Sequence, residues 1–524
     1  MATKCNDGKT QIGVPRINSL NPLASRKRAA FRQKLRHRYL VGLLVLVASG
    51  SAWAQTDSTK EATSEATTTE ATKDTKPPCP RSEPSFPQMA YDEDNRYLSD
   101  PACRKEALDR LKYIPLGKDK NYYLSFGAMV RERGEYYNHP NLGGGSPGST
   151  YLLQRYYVHA DLHLSERVRV FGQLLSNFEH GRKGGPRPLI DEDKVDIHQL
   201  FGDVVVWRSG KNHLALRVGR QEMVFGDQSL VSNRDSRNVR RSVDGVRAMG
   251  QFGEWKADAF AVRESNKKLG FFDDSFNHTN SFWGLYVVRP FRTLPGGHVD
   301  LFYMGLDNKV ETFVKGKDRE QRETAGARLW GSTEHLDYNQ KYMFQWGRFG
   351  SGDIRSWAVA TETGYRLDSI LFKPRFAIKA DAYRGDHDRS GRTLGTLGTF
   401  NSLFESSSYF SYASLFGRRN LINLQPSVEL KLPRKITLTP NAAVYWRQSR
   451  EDGLYSSSGS VVVAGLKSDA RFIGSHVAAQ VKWSVDRHIT VFGEYLHFFP
   501  GDFVKQSTAG RNTNYATWWV DYRF

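Results

Sequence analysis

Residues 516–524 read A-T-W-W-V-D-Y-R-F. In an extended chain Ala516, Trp518, Val520, Tyr522 and Phe524 fall on one face, and Thr517, Trp519, Asp521 and Arg523 on the other. Alternation of period two marks a strand whose two faces meet different surroundings. The same pattern recurs upstream. Ile422, Leu424, Pro426, Val428 and Leu430 oppose Asn423, Gln425, Ser427, Glu429 and Lys431, and Val477, Ala479, Val481 and Trp483 oppose His476, Gln480 and Lys482.

Followed along the chain, the pattern predicts eighteen strands: 122–137, 151–165, 168–178, 195–207, 214–224, 243–253, 255–265, 280–289, 297–307, 322–332, 337–349, 352–365, 375–385, 421–431, 436–447, 472–483, 489–499 and 515–524. Connections after even-numbered strands are mostly brief, and those after odd-numbered strands mostly long and polar. The link near Gly350 is the exception, short where a long loop is due. Short turns on one rim and long loops on the other are the pattern of an outer-membrane barrel. The fold class expected is therefore all-β, a transmembrane antiparallel β-barrel of about 18 strands with long extracellular loops and short periplasmic turns. A secreted β-solenoid or a large sandwich would show similar alternation.

The N-terminus supports export. Residues 26–38 are rich in Arg and Lys, an apolar run follows from Tyr39 to Ala48, and Ser51-Ala52-Trp53-Ala54 offers a small-residue cleavage site. That is the layout of a secretory signal, and the apolar run is too short for a membrane-spanning helix. Residues 1–54 are expected to be a signal peptide, 55–88 a disordered Thr/Glu/Ala/Pro-rich tether, 89–121 a short periplasmic N-terminal segment, and 122–524 the barrel. Removing the leader takes away ten basic residues and one acid, so the formal charge falls from +19 to +10. The apparent basicity thus argues nothing about nucleic acid, and none is expected as a partner. Cys79 and Cys103 remain, able to form one disulfide in an oxidising compartment. An amphipathic stretch, 101–113, predicts a small helix with Ala107, Leu108 and Leu111 on one face.

Eighteen strands enclose a lumen too wide for side chains of the wall to fill, so an aqueous channel is expected. Arg131, Arg133, Glu135, Lys379, Asp381, Arg447 and Lys482 occupy the face opposite the apolar stripes. Residues 217–247 add seven arginines, no lysine and four carboxylates, Glu222, Asp227, Asp235 and Asp244. Their middle, 226–241, is far longer than a tight hairpin needs. Two readings fit it: an anion site built on Arg234, Arg237, Arg240 and Arg241, or a solvated basic loop balanced by its own carboxylates. Folded inward, the loop would form a guanidinium-rich constriction that selects anions.

Several stretches also resemble a known family. The block LRVGRQEMVFGDQSLVSNRDSRNVRRSVDGVRA from Leu216 looks like the hallmark of the alginate-export outer-membrane family. LKYIPLG from Leu111, LQRYYVHADLHLSERVRVFGQL from Leu153, GRFGSGDIRSW from Gly347, GTFNSLF from Gly398 and YWRQSREDGLY from Tyr445 match in the same order. The resemblance implies an eighteen-stranded barrel whose best-known member secretes alginate through an arginine-lined pore. It marks Arg220, Arg234, Arg240, Arg241, Arg247, Arg131, Arg155 and Arg447 as polymer contacts, beside Arg133 and Lys482 from the strand faces.

The leading expectation is a passive, anion-preferring channel exporting an anionic exopolysaccharide, with an uptake porin for small anions or oligosaccharides as the alternative. No cofactor or metal is expected. Expected partners are outer-membrane lipid, the barrel assembly machinery reading the terminal Phe524, and periplasmic export components, around a monomer. An enzyme on the barrel wall would need a nucleophile beside His159, His163 or His476, and no G-x-S-x-G motif occurs. An adhesin would use the loop 386–419 as its binding surface; that loop fits a mobile lid equally well. The acidic runs 191–193 and 385–388 fit an outer calcium site or, more simply, solvated loop charge. Tyr122, Tyr123, Trp207, Trp255, Trp518 and Trp519 are expected in the interfacial girdles.

Overall fold

The computed structural model describes Cys79 and residues 86–143, 148–388, 393–466 and 468–524. The expected signal peptide and nearly all of the expected tether lie outside them.

A strand in hydrocarbon cannot leave N–H and C=O groups unpaired, which only a closed sheet avoids. Eighteen antiparallel strands close in this way: β1 (Tyr123–Tyr137), β2 (Ser149–His163), β3 (Val168–His180), β4 (Asp193–Ser209), β5 (Asn212–Gln221), β6 (Val243–Phe252), β7 (Trp255–Glu264), β8 (Asn280–Pro290), β9 (Gly297–Phe313), β10 (Gly316–Ser332), β11 (Leu336–Phe349), β12 (Gly352–Arg366), β13 (Arg375–Tyr383), β14 (Leu421–Leu432), β15 (Ile436–Trp446), β16 (Phe472–Ser484), β17 (Ile489–Pro500) and β18 (Thr513–Arg523). Each strand pairs with its chain neighbour, and β18 returns to β1 from Met129↔Arg523 to Tyr137↔Tyr515.

Every predicted strand is present, with ends shifted by a few residues. The largest difference is the β9–β10 hairpin, where 308–313 and 316–321 continue as strands and the expected outer loop shrinks to a turn at Val314 and Lys315. Its stems read D-N-K-V-E-T-F and G-K-D-R-E-Q, polar on both faces, so period two is invisible there. The tight link at Gly350 is real, with Phe349 opposite Gly352.

The alternation sorts the wall as predicted. On β18 Trp518, Val520 and Tyr522 are exposed outward while Thr517, Trp519 and Asp521 are buried inward. Trp519 and Tyr123 are therefore not girdle residues. Trp519 stacks on Phe492 at 4.0 Å and Tyr123 on His163 at 4.3 Å, both buried. Being aromatic near a strand end does not decide the face; the phase of the strand does.

The N-terminal segment differs from expectation. Only Asp109–Lys112 is α-helical, one turn, with a separate 3-10 turn at Pro101–Cys103, because Asp109 turns back to accept the N–H groups of Lys105 and Glu106 at 2.8 and 2.9 Å. Leu111 stays exposed, while Lys112 is buried against Glu93 at 2.6 Å. The disulfide Cys79–Cys103 is formed. Ahead of it in space, Tyr91 packs on the inward rings of Phe171 and Phe201 and under Arg217, 4.2 Å from the guanidinium. The segment thus enters the mouth of the barrel.

Closure also uses the last residue: Phe524 N–H donates to Ala128 O, and Ala128 N–H to Phe524 O, both at 3.1 Å. Deleting Phe524 is expected to remove about 2 kcal/mol of closure energy and the terminal aromatic. The fraction of heat-modifiable barrel on electrophoresis should fall; an unchanged fraction would show that closure does not depend on it.

Candidate functional site

The connection 222–242 between β5 and β6 folds into the lumen and crosses it. Its hold on one wall is made by backbone carbonyls and arginines. Asn238 donates to Gln154 O, Phe178 O and Asp191 O at 2.8 to 3.1 Å. Arg155, wholly buried on β2, donates to Asn238 O at 2.8 Å, to Asp235 Oδ1 at 2.7 Å and to Arg237 O. Arg131 on β1 binds Asp521 at 2.5 Å and Asp235 at 3.4 Å. On the opposite wall Asp227 accepts from Asn339 at 3.0 Å and pairs with Lys341. Phe225 stacks on Tyr286 at 5.0 Å and Phe260 at 5.3 Å.

Asp235 is the hub of this arrangement. It takes Arg131, Arg155 and Arg240, the last at 2.6 Å. Burial pushes its carboxyl up, and the guanidiniums of Arg131, Arg240 and Arg155 outweigh that and hold it well below the usual carboxylate range. Arg240 also lies 3.5 Å from Glu222, which accepts from Asn233 at 2.8 Å and bonds His198 at 2.6 Å.

A second long connection, 384–420, meets the first. Phe404 exchanges backbone hydrogen bonds with Leu230 and Ser232 at 3.0 Å, and Arg241 donates to Phe404 O at 2.8 Å. Arg418 pairs with Glu405 at 2.5 Å, lies 4.0 Å from the Tyr409 ring and donates to Ser229 O. Tyr412 reaches Trp519 at 4.8 Å and donates its N–H to Glu494 at 2.9 Å. The loop is therefore packed inside the barrel by its aromatic residues, rather than presented as a surface for adhesion. The cavity it encloses beside Glu405, Tyr409 and Arg418 holds about 10 Å³. That is room for a single water and none for a sugar ring.

The predicted site residues divide by what holds them. Arg131, Arg133, Arg155 and Arg240 are buried in the wall or in the loop it grips. Arg133 binds Glu135 at 2.7 Å, Ser236 O at 2.6 Å and the Tyr515 hydroxyl at 2.9 Å. Arg220, Arg241 and Arg247 keep some exposure and pair with Asp244, Glu264 and Asp258 at 2.7 to 2.9 Å. Arg447 lies apart, bonded to the carbonyls of Arg450, Asp452, Ser468 and Ala470 and stacked 3.9 Å from Phe503, organising its own loop. Lys482 is exposed on β16 opposite Thr437, toward the short-turn rim.

Two loop arginines remain. Arg234 has no carboxylate partner; its Nη2 donates to Leu189 O at 2.9 Å and its buried Nε has no acceptor. Its pKa is pushed down to about 9 by burial and by Arg241 beside it. Arg237, half-buried, lies near Arg187, and burial together with that guanidinium pushes it down as well. Among the described residues neither forms an ion pair. Arg187 and Arg418 are absent from the sequence-based set, since each sits in a polar stretch whose packing no local pattern announces. In the acidic runs weighed as calcium ligands, Asp191 holds Arg187 at 2.7 Å and Lys315 meets Asp386 at 3.3 Å, while Asp193 lies grouped with Asp196 and Asp274 beside Lys267. His159 stacks on Phe171, and His476 bonds Tyr445 and Asn441, both as buried packing groups.

A model of alginate export matches residues 122–518. The chain belongs to the alginate-export family. Among curated proteins no relative matches this family member. Solved barrels match its fold at low identity. OccK2 (OpdF) of Pseudomonas aeruginosa, in complex with glucuronate, has 11% identity and a TM-score of 0.50 over 76% of this chain and 98% of that one. OccAB1 of Acinetobacter baumannii has 12% identity and a TM-score of 0.50, covering 79% and 99%. A BenF-like porin from Pseudomonas fluorescens Pf-5 has 10% identity and a TM-score of 0.50, covering 76% and 98%. This member of the family is an outer-membrane channel.

Asp235 tests the hub. Asp235→Asn leaves Arg131, Arg155 and Arg240 without their shared carboxylate, a change that costs about 3–5 kcal/mol when a buried pair is broken. The loop should loosen, giving larger and noisier single-channel conductance in planar bilayers. Conductance equal to that of the unmodified protein would show that Asn238 and Asp227 suffice to hold it.

Proposed function

We propose that this channel passively exports an anionic polysaccharide, a polyuronate of the alginate kind, through a lumen that prefers anions. The observation that carries the reading is the pair Arg234 and Arg237. Among the described residues every other arginine of 217–247 pairs with a carboxylate, whereas these two form no ion pair. A guanidinium fork suits a carboxylate in two-point contact, and an incoming uronate would supply the missing charge.

Passage needs no covalent step. Synthesis and the concentration gradient would drive the chain, and weak contacts at several cations would let it leave as readily as it enters. The loops 222–242 and 384–420 meet mid-lumen, so a polymer would have to part them. Among the described residues their meeting point is held by three backbone bonds, through Leu230, Ser232, Phe404, Gln228 and Ser406, and by the Arg241 and Arg418 side chains. Arg131, Arg133, Arg155, Arg240 and Arg447 act in this reading by fixing the loops, and Arg220, Arg241 and Arg247 by lending positive field to the path.

Reversal potential under a salt gradient tests it, followed by block with oligouronates. Anion preference with block is expected of the unmodified protein, and Arg234→Glu with Arg237→Glu should cut both by about tenfold, as for removal of roughly 1–2 kcal/mol of charge-assisted contact. Anion preference without block would favour uptake of small anions. Cation preference, or a double variant indistinguishable from the unmodified channel, would overturn the reading.

A further inference from the structure

The outward face of β12–β16, in the half nearer the short turns, carries a groove of about 680 Å³. Its walls are Tyr365, Phe376, Ile378 and Val477, all exposed, and Pro426 and Pro440 lie along it. The prolines explain the depression. Neither has an N–H to give, and the β14–β15 ladder is interrupted around them, passing from Leu424↔Val444 to Ser427↔Asn441 to Leu430↔Leu438 with the register unchanged. The small side chain of Ala442 leaves the space open.

Below the groove the short-turn rim is basic. Lys373, Arg434 and Lys435 are exposed in its turns, with Lys431 and Lys482 exposed beside them on the lumen face. The Lys431 N–H donates to Phe372 O at 2.8 Å, and Ser484 N–H to Lys435 O at 3.2 Å, so the three turns 367–374, 433–435 and 485–488 are gathered at one place. Fewer acids answer these cations: Glu429 pairs with Lys431 at 2.7 Å, Asp368 faces His335 at 4.0 Å, and Asp486 accepts from its own turn. Beside them Ile370 and Leu371 stand out at 50% and 75% exposure, continuing the apolar wall to the rim.

We propose that this face is a binding site for one anionic glycerophospholipid, its acyl chains in the proline groove and its phosphate among Lys373, Arg434 and Lys435. The charge complements an anionic headgroup, and the groove opens where a membrane lipid already lies, in the leaflet next to the short turns. Apolar residues running up to the cations match a molecule that is apolar at one end and anionic at the other.

The test is native mass spectrometry of the purified full-length protein with phosphatidylglycerol and phosphatidylethanolamine of equal acyl composition. Phosphatidylglycerol should be retained in clear preference. Lys373→Gln, Arg434→Gln and Lys435→Gln together should lower its retention by about fivefold for each cation that contacts the headgroup. Ala442→Phe, or Val477→Trp as a second groove-filling variant, should lower retention of both lipids, each variant first being shown heat-modifiable like the unmodified barrel. Equal retention of the two lipids overturns the proposal, as does a groove-filled barrel that keeps phosphatidylglycerol.

Discussion

Hydrocarbon offers no hydrogen-bond partner, and the whole structure follows from that. Every strand must find two neighbours, so the sheet closes on itself through β1 and β18, and the first strand begins at the rim where the last one ends. Closure fixes the lumen, and the lumen fixes the problem the loops solve. An eighteen-stranded wall leaves an interior that its own side chains cannot fill. Here two connections, 222–242 and 384–420, supply the missing core.

How they are held shows why the interior is so rich in arginine. A guanidinium offers five donors in a rigid fork, enough to bind a carboxylate and several loop carbonyls at once. Arg155 does this with Asp235 and three loop carbonyls, Arg133 joins Glu135 to the carbonyl of Ser236, and Arg447 gathers four carbonyls of its own loop. Most of the positive charge is therefore structural. Of the two readings open for the arginine loop, a basic loop balanced by carboxylates describes Arg220, Arg240, Arg241 and Arg247. Among the described residues Arg234 and Arg237 form no ion pair, and the proposed anion contact rests on them.

The candidate site was only half legible. That residues 217–247 would matter was plain from seven arginines in one stretch, and that Asp235 would balance some of them was plain from its position among them. Which arginines keep a carboxylate depends on Asp521 and Glu264, which lie far along the chain or on other strands. Trp519 shows the same limit in reverse. Its face was readable from alternation, yet its role as a stacking floor for Arg131 and Arg133 at 5.1 Å needs β1 and β18 side by side. The short amphipathic candidate at 101–113 failed for a local reason, since Asp109 bonds back to the N–H groups that a longer helix would have used.

The sequence by itself determined the strands, their number, their inward and outward faces and the rim on which loops grow. These depend on neighbours two residues apart and on composition between runs, which local reading reaches. Only the tertiary structure decided that the loops fold inward, which of the described guanidiniums form ion pairs and where the outer wall opens into a groove. Each of those depends on side chains brought together across the barrel. Their charges and shapes balance only after closure has set the distance between them.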